Sequence, residues 1–116
     1  MTVQDITLEL KETLKRLKNN FYEQDKPKNL RDTTFFSYVK EETNPVFQLV
    51  EQWETEAAEA VKRRELSIHP QQVVSTRENV ELILLHSYYI DVKEERYMNL
   101  YNSVLYVLDI ILDETK

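Results

Sequence analysis

The sequence contains no glycine in 116 residues, and this absence limits the folds open to it. Glycine is the usual residue where the backbone needs a positive φ, as in tight hairpins, bulges and phosphate-binding loops. A chain without glycine is poorly suited to β-meanders, and it lacks the residues of a P-loop or a dinucleotide-binding fingerprint. The absence therefore predicts helices that are joined by turns containing Asn and Pro.

The composition is that of a folded domain, with 41% hydrophobic and 31% charged residues. The length predicts one helical-bundle domain over residues 1–116. The longest apolar runs are far shorter than the ~20 residues that cross a bilayer. The start, Met1 to Asp5, lacks the features of a signal peptide, so we expect a cytoplasmic protein without membrane association. The lack of cysteine excludes disulfides, Cys-based zinc sites and a thiol nucleophile.

The charge is unevenly distributed along the chain. The net charge of −6 argues against nucleic acid as a partner, because phosphate contacts need a basic face. Residues 11–31 nevertheless carry 7 basic and 3 acidic side chains. This segment is interpreted as a solvated helix face and loop, with a basic docking strip as the alternative.

The N-terminal segment has apolar residues at helical spacing. They recur in steps of three and four residues and are Val3, Ile6, Leu10, Leu14, Leu17 and Phe21. Thr2 and Asp5 match the capping-box pattern at the start of this run. The predicted helix ends between Asn19-Asn20 and Lys26-Pro27.

A short accessory helix is predicted over Phe35–Glu42, after one of the good N-cap residues Asp32, Thr33 or Thr34. Asn44-Pro45 then predicts the start of a second long helix, with Asn as the cap and Pro at the first helical position. Its predicted core positions are Val46, Leu49, Val50, Trp53, Ala57, Ala60 and Val61.

Two further helices are predicted in the C-terminal half. His69, Pro70 and Gln72 mark the start of the third, with His69 near the N-cap and Gln72 as a capping-box partner. Its core stripe contains Val73, Val80, Leu84 and Tyr88. The last helix carries Tyr97, Tyr101, Val104, Leu105, Leu108, Ile111 and Leu112.

These elements predict an all-α fold, an antiparallel up-down four-helix bundle with a short accessory helix. One alternative is α+β. Residues 80–90 and 104–112 are rich in β-branched and aromatic side chains and are candidates for a hairpin. The connection between them lacks hairpin turn residues, and both segments exceed typical strand length, so the helical interpretation is preferred.

No catalytic, cofactor-binding or metal-binding residues are predicted. A ferritin-like bundle site needs Glu-x-x-His pairs, and the residues three positions before His69 and His86 are Leu66 and Ile83. Arg64 and His69 have the loose spacing of a nuclease motif found in some helical RNases, and we interpret them as a helix end and a cap. His86 is interpreted as a boundary residue at an apolar face, and Trp53 as a core residue.

Tyrosine is concentrated in the C-terminal half, where five of the seven are found. These five form a candidate interaction surface, because tyrosine rings are amphipathic and common in protein interfaces. The alternative is that the rings line the edge of the core with their hydroxyls reaching water. The five residues are Tyr88, Tyr89, Tyr97, Tyr101 and Tyr106.

A set of residues resembles one known family. It comprises Phe35-Phe36, Trp53, Lys62-Arg63-Arg64, Ser87-Tyr88, Arg96-Tyr97, and Ser103-Val104-Leu105-Tyr106 with Leu108. In order and spacing these residues resemble the YppE-like proteins, a family of small uncharacterised proteins from Bacillus-type, Gram-positive bacteria. The resemblance spans Phe35 to Leu108 and implies a single-domain, cytosolic helical bundle. The resemblance implies no activity, no cofactor and no site residues.

The leading functional hypothesis is a non-enzymatic protein-interaction or structural protein, with a protein partner or with self-association. The alternative is a small-molecule- or metal-binding bundle, catalytic or not, with a pocket near Trp53, Tyr88 and His86. The alternative predicts a sizeable apolar cavity with converging polar groups.

Overall fold

Four α-helices form the secondary structure of residues 2–23, 33–88 and 92–116, which the computed structural model describes. They are α1 Val3–Glu23, α2 Thr33–Lys62, α3 Pro70–Tyr88 and α4 Glu94–Glu114. These ranges contain no strand, so the hairpin alternative for residues 80–88 and 104–112 is wrong. Within the same ranges, no helix combines the length and apolarity needed to cross a membrane.

The helices alternate in direction, as the contacts at their ends show. Tyr22 near the end of α1 donates to Glu94 at the start of α4 at 2.6 Å, and Lys11 pairs with Asp109 further along at 2.8 Å. Asn20 reaches the carbonyl of Ser87 at the end of α3, so α1 and α3 run parallel on the bundle diagonal. The predicted all-α, up-down four-helix bundle is confirmed.

The predicted accessory helix is wrong, because residues 33–62 form one continuous helix with Pro45 inside it. Val39 and Val46 are both buried, so the apolar stripe continues across the proline. Pro45 and Glu41 lie on the exposed side, where water can satisfy the Glu41 carbonyl that loses its N–H partner. Core burial on the opposite side thus holds the helix together through a residue that usually ends one.

The predicted helix starts at Thr2 and His69 are confirmed by their hydrogen bonds. Asp5 N–H donates to the Thr2 hydroxyl at 3.1 Å, and Thr2 N–H donates to the Asp5 carboxylate at 3.4 Å. At α3, His69 N–H donates to Gln72 Oε1 at 2.8 Å, and Gln71 N–H donates to His69 Nδ1 at 2.9 Å. Both motifs satisfy backbone donors that have no partner inside the helix.

Arg64 has a positive φ of 63°, which is unusual for a residue with a β-carbon. It follows the end of α2, where Glu65 N–H donates to the Ala60 carbonyl and Arg64 N–H donates to the Val61 carbonyl. These two bonds define a Schellman motif, whose left-handed position usually holds glycine. The glycine-free chain places an arginine there and accepts the steric cost.

Two buried polar contacts join the helices inside the apolar core. Trp53 Nε1–H on α2 donates to the Thr7 hydroxyl on α1 at 3.0 Å, and both residues are fully buried. Ser87 Oγ on α3 donates to the Ile83 carbonyl at 2.8 Å. The Ser87 proton is thereby used, so the Tyr97 hydroxyl on α4 donates to Ser87 Oγ across 2.9 Å.

We predict that Arg64→Gly stabilises the protein by about 1 kcal/mol, because glycine adopts positive φ without a clash between Cβ and the backbone. Urea unfolding of the two proteins measures the difference in the free energy of unfolding. Arg63→Gly is the matched control, since it removes the same charge one residue earlier without relieving a positive φ. A gain of the same size in Arg63→Gly would contradict the assignment of strain to Arg64.

We predict that Thr7→Val destabilises the protein by about 1–3 kcal/mol, because valine has a similar shape but leaves the buried Trp53 N–H without an acceptor. Thr7→Ser keeps the hydroxyl and serves as the control for small changes in packing. In a Trp53→Phe background the cost of Thr7→Val should shrink, since the donor is gone. Equal costs of Thr7→Val in both backgrounds would show that the hydrogen bond contributes nothing.

Candidate interaction surface

The five tyrosines of the predicted surface do not form one exposed patch among the described residues. Tyr88, Tyr97 and Tyr101 are 6%, 0% and 5% exposed, whereas Tyr106 is 66% exposed. Tyr89 lies outside the described residues. The helical spacing of core residues distinguishes the buried tyrosines of α4 from the exposed one. Tyr97 and Tyr101 continue the stripe of core residues on α4, and Tyr106 falls outside it.

Helix α1 covers the buried rings of α4. The Phe21 ring stacks on the Tyr97 ring with a centroid separation of 3.9 Å and an interplanar angle of 6°. The Lys18 ammonium lies 5.3 Å from the centroid of the Tyr101 ring, within cation–π range. These rings therefore hold α1 to α4, and their faces are occupied within the chain.

Burial changes the acidity of these phenols. Loss of solvation in the core raises the pKa of Tyr97 to about 12. Burial also raises the pKa values of Tyr88 and Tyr101. At the surface, the hydrogen bond to Glu94 raises the pKa of Tyr22. All four phenols are neutral at physiological pH and act here as hydrogen-bonding or packing groups.

Tyr106 lies beside an open depression on the outer side of α4. The depression has a volume of about 390 Å³ and is lined by Tyr106, Asp109, Ile110 and Asp113. Asp109 pairs with Lys11, and Asp113 pairs with Lys116 at 3.1 Å. An exposed aromatic ring, a half-buried isoleucine and two carboxylates thus lie within two turns of one helix.

A second depression lies between α2 and α3 and contains a charge cluster that sequence reasoning missed. Arg77 Nε contacts the Glu54 carboxylate at 2.6 Å, and its Nη1 contacts the Glu81 carboxylate at 2.9 Å. Glu51 and Phe47 complete the lining of this depression of about 250 Å³. These two hydrogen bonds raise the pKa of Arg77, which is charged throughout the physiological range.

This arginine cluster fixes the packing of α2 against α3. The spacing of Arg77 and Glu81 is the four-residue spacing of a helical ion pair, which is a signal visible in the sequence. The partner from α2, Glu54, is 23 residues away and becomes a neighbour only when the two helices pack. The guanidinium is already held by two carboxylates, so the cluster has the form of a structural clamp.

The two histidines lie at the start of α3 and within it. His69 is the exposed cap of α3, and its Nδ1 accepts the Gln71 N–H. His86 is buried at 5% exposure on α3. Arg64 occupies the turn after α2. The spacing of Arg64 and His69 therefore joins a helix end to a helix cap, in agreement with the interpretation of the sequence. Over the described ranges, no group of three or more His, Cys, Asp and Glu side chains is arranged to hold a metal ion.

The residues of the alternative binding site lie in the core. Trp53, Tyr88 and His86 are all buried, with Trp53 fully enclosed. None of the three lines the depressions that are found between α3 and α4, between α2 and α3, near the start of α1, or on α4. The interpretation of Trp53 as a core residue agrees with its burial.

The sequence and the fold place this chain in a family of bacterial helical proteins. Residues 7–115 match the model of the bacterial domain of unknown function DUF1798, and the chain belongs to that family. The match includes all of α2, α3 and α4 and most of α1.

Comparison with individual proteins gives the same family. The chain is 30% identical over 81 residues to the uncharacterized protein YppE of Bacillus subtilis (strain 168). That alignment covers 69% of this chain and 66%, just under two thirds, of YppE. The crystal structure of YppE from Bacillus subtilis superposes with a TM-score of 0.76 at 22% identity, covering 97% of this chain and 90% of that one. The resemblance to YppE-like proteins is therefore confirmed, and the fold is shared.

We predict that alkaline pH destabilises the protein partly through Tyr97. The folded protein holds the Tyr97 proton to about pH 12, whereas the unfolded chain releases it near pH 10.0. Stability is therefore lost as the pH rises between these values, by about 1 kcal/mol from this group at about pH 11. Urea unfolding at about pH 9 and about pH 11 should show a smaller loss for Tyr97→Phe than for the wild type. Equal losses would contradict the prediction.

Proposed function

We propose that this chain is a non-enzymatic interaction protein of the bacterial cytoplasm, a single helical domain that binds through the outer side of α4. The observation that carries this proposal is the 66% exposure of Tyr106 beside Ile110 and two aspartates. Tyrosine is enriched in binding hot spots because its ring provides a large contact area with little loss of conformational entropy. On a helix that buries its other two tyrosines, an exposed one supports a binding role.

The interior of the bundle supports a scaffold role for the other residues. Two pairs of its polar side chains join helices, Trp53 with Thr7 and Tyr97 with Ser87. The ion cluster at Arg77 likewise fixes one helix against another. Such contacts make a rigid support, and a rigid helical surface binds with a small entropic cost.

The described part of the basic segment, residues 11–23, helps to hold α1 beside the binding surface on α4. Lys11 and Lys18 are directed towards α4, one to Asp109 and the other to the Tyr101 ring. They help to hold α1 beside α4 and do not form a separate docking strip on another side of the bundle. Residues 24–31 of this segment lie outside the described residues.

Photo-crosslinking in bacterial cells tests the proposal. With benzoylphenylalanine in place of Tyr106, we expect a discrete crosslinked product of defined mass. The same amino acid in place of Tyr38 on α2, which is 46% exposed, is the matched control and should give no such product. Loss of the product when Ile110 is replaced by Lys would confirm the depression as its origin. Identical products from positions 106 and 38, or no product from position 106, would contradict the proposal.

A further inference from the structure

Helices α3 and α4 form a groove that is lined by uncharged side chains, and we call it the neutral groove. Its volume is about 210 Å³. Helix α4 contributes the exposed Ser103 and the nearly buried Val107. Helix α3 contributes five amide or hydroxyl side chains, Gln71, Gln72, Ser75, Thr76 and Asn79. Although 31% of the chain's residues are charged, every side chain that lines this groove is neutral.

The neutral character belongs to one face of α3 and not to the whole helix. Arg77 of α3 contacts Glu54 of α2 and Glu81 of its own helix, so this charge cluster lies on the side of α3 that packs against α2. The groove residues of α3 recur at four-residue steps, at positions 71, 75 and 79 and at positions 72 and 76. This spacing places them side by side on the face that is next to α4.

Three polar side chains of the neutral groove have unused hydrogen-bonding groups. Thr76 is only 3% exposed, and its hydroxyl has no hydrogen-bond partner among the residues that the structure describes. By contrast, the buried Thr13 donates to the Glu9 carbonyl at 2.9 Å. The Asn79 amide and the Ser103 hydroxyl also lack a partner within the described ranges. Because an almost buried hydroxyl normally has a partner, the lining of this groove has the form of a binding site.

The neutral groove adjoins the Tyr106 depression along α4. Ser103 and Val107 line the groove, whereas Tyr106 and Ile110 line the depression. Ser103 and Tyr106 are three residues apart, as are Val107 and Ile110, so each pair joins neighbouring positions on the helix surface. One continuous strip therefore has hydrogen-bonding groups at one end and an aromatic ring with an aliphatic side chain at the other.

The chemistry of the neutral groove favours an uncharged stretch of polypeptide. The side-chain amides of Asn and Gln carry the donor and acceptor groups of a peptide bond, so they match the N–H and C=O of a backbone. An extended segment brings such backbone groups to the surface that it binds, where each needs a partner. A charged side chain that entered this groove would lose its hydration without meeting an opposite charge.

We propose that the neutral groove binds an uncharged, extended segment of a partner protein, with an adjoining apolar side chain of that segment in the Tyr106 depression. This inference rests on the proposed function, because it names the chemistry of the partner that the surface of α4 binds. The free groups of Thr76, Asn79 and Ser103 bond to the backbone of the segment. The apolar side chain packs against Tyr106 and Ile110 and fixes the position of the segment along the strip.

Selection of phage-displayed random linear peptides on the immobilised full chain tests the inference. We expect the enriched peptides to share a run of uncharged residues beside an aromatic or large aliphatic residue. The most enriched sequence, made as a labelled synthetic peptide, gives a Kd by fluorescence anisotropy. Asn79→Asp keeps the shape of the side chain and introduces a carboxylate, so it should raise this Kd at least about tenfold, because the charge loses water without gaining a partner.

Asn44→Asp is the matched control. Asn44 is exposed on α2 and lines none of the four depressions, so the same change there should leave the Kd unaltered. Thr76→Val keeps the shape of the nearly buried side chain without its hydroxyl and should raise the Kd by about three- to tenfold. Ile110→Lys changes the depression and should also weaken binding. Circular dichroism melting establishes that each variant is folded.

The inference is overturned if no peptide is enriched above a surface without the protein, or if Asn79→Asp and Asn44→Asp bind the peptide equally. The proposed function fails separately, in the crosslinking experiment. A product from position 106 that forms equally well in the Asn79→Asp variant would retain the surface on α4 and exclude the neutral groove from it. Peptide binding that Asn79→Asp weakens, without any product from position 106, would retain the neutral groove and contradict the proposed function.

Discussion

The burial of Tyr97 joins three of the four helices at one place. Its ring stacks on Phe21 of α1, and its hydroxyl donates to Ser87 of α3, whose own proton goes to the Ile83 carbonyl. A phenol can be removed from water at little net cost only when its O–H keeps a partner. The position of α4 against α1 and α3 is therefore fixed by a hydrogen bond as well as by apolar packing.

The hydrogen bond between Trp53 and Thr7 fixes the position of the remaining helix, α2. It links α2 to α1 within the core, while Arg77 and Glu54 link α2 to α3 nearer the surface. Apolar contact alone allows neighbouring helices to slide by small amounts, because it has no direction. A few buried polar bonds with defined donors and acceptors remove that freedom and give the outer surfaces a fixed geometry.

That fixed geometry decides which side chains of α4 remain exposed. Because α1 covers Tyr97 and Tyr101, Tyr106 is the large hydrophobic side chain that α4 leaves mostly exposed, with the half-buried Ile110 beside it. The chain belongs to the bacterial DUF1798 family and shares its fold with YppE.

The sequence by itself determined the elements whose causes are local. The absence of glycine and the helical spacing favoured helices over a sheet, and the caps at Thr2 and His69 were predictable because each joins residues three positions apart. The stripe on α4 also distinguished Tyr101 from Tyr106, although residue type alone grouped them.

Only the tertiary structure decided the features that depend on another helix. Asn44-Pro45 has the local pattern of a helix start, and core contacts on the opposite side carry α2 through it. Glu54 becomes a partner of Arg77, and Thr7 a partner of Trp53, across separations of 23 and 46 residues. How far each tyrosine is exposed was decided in the same way, because exposure depends on the neighbouring side chains that cover a residue.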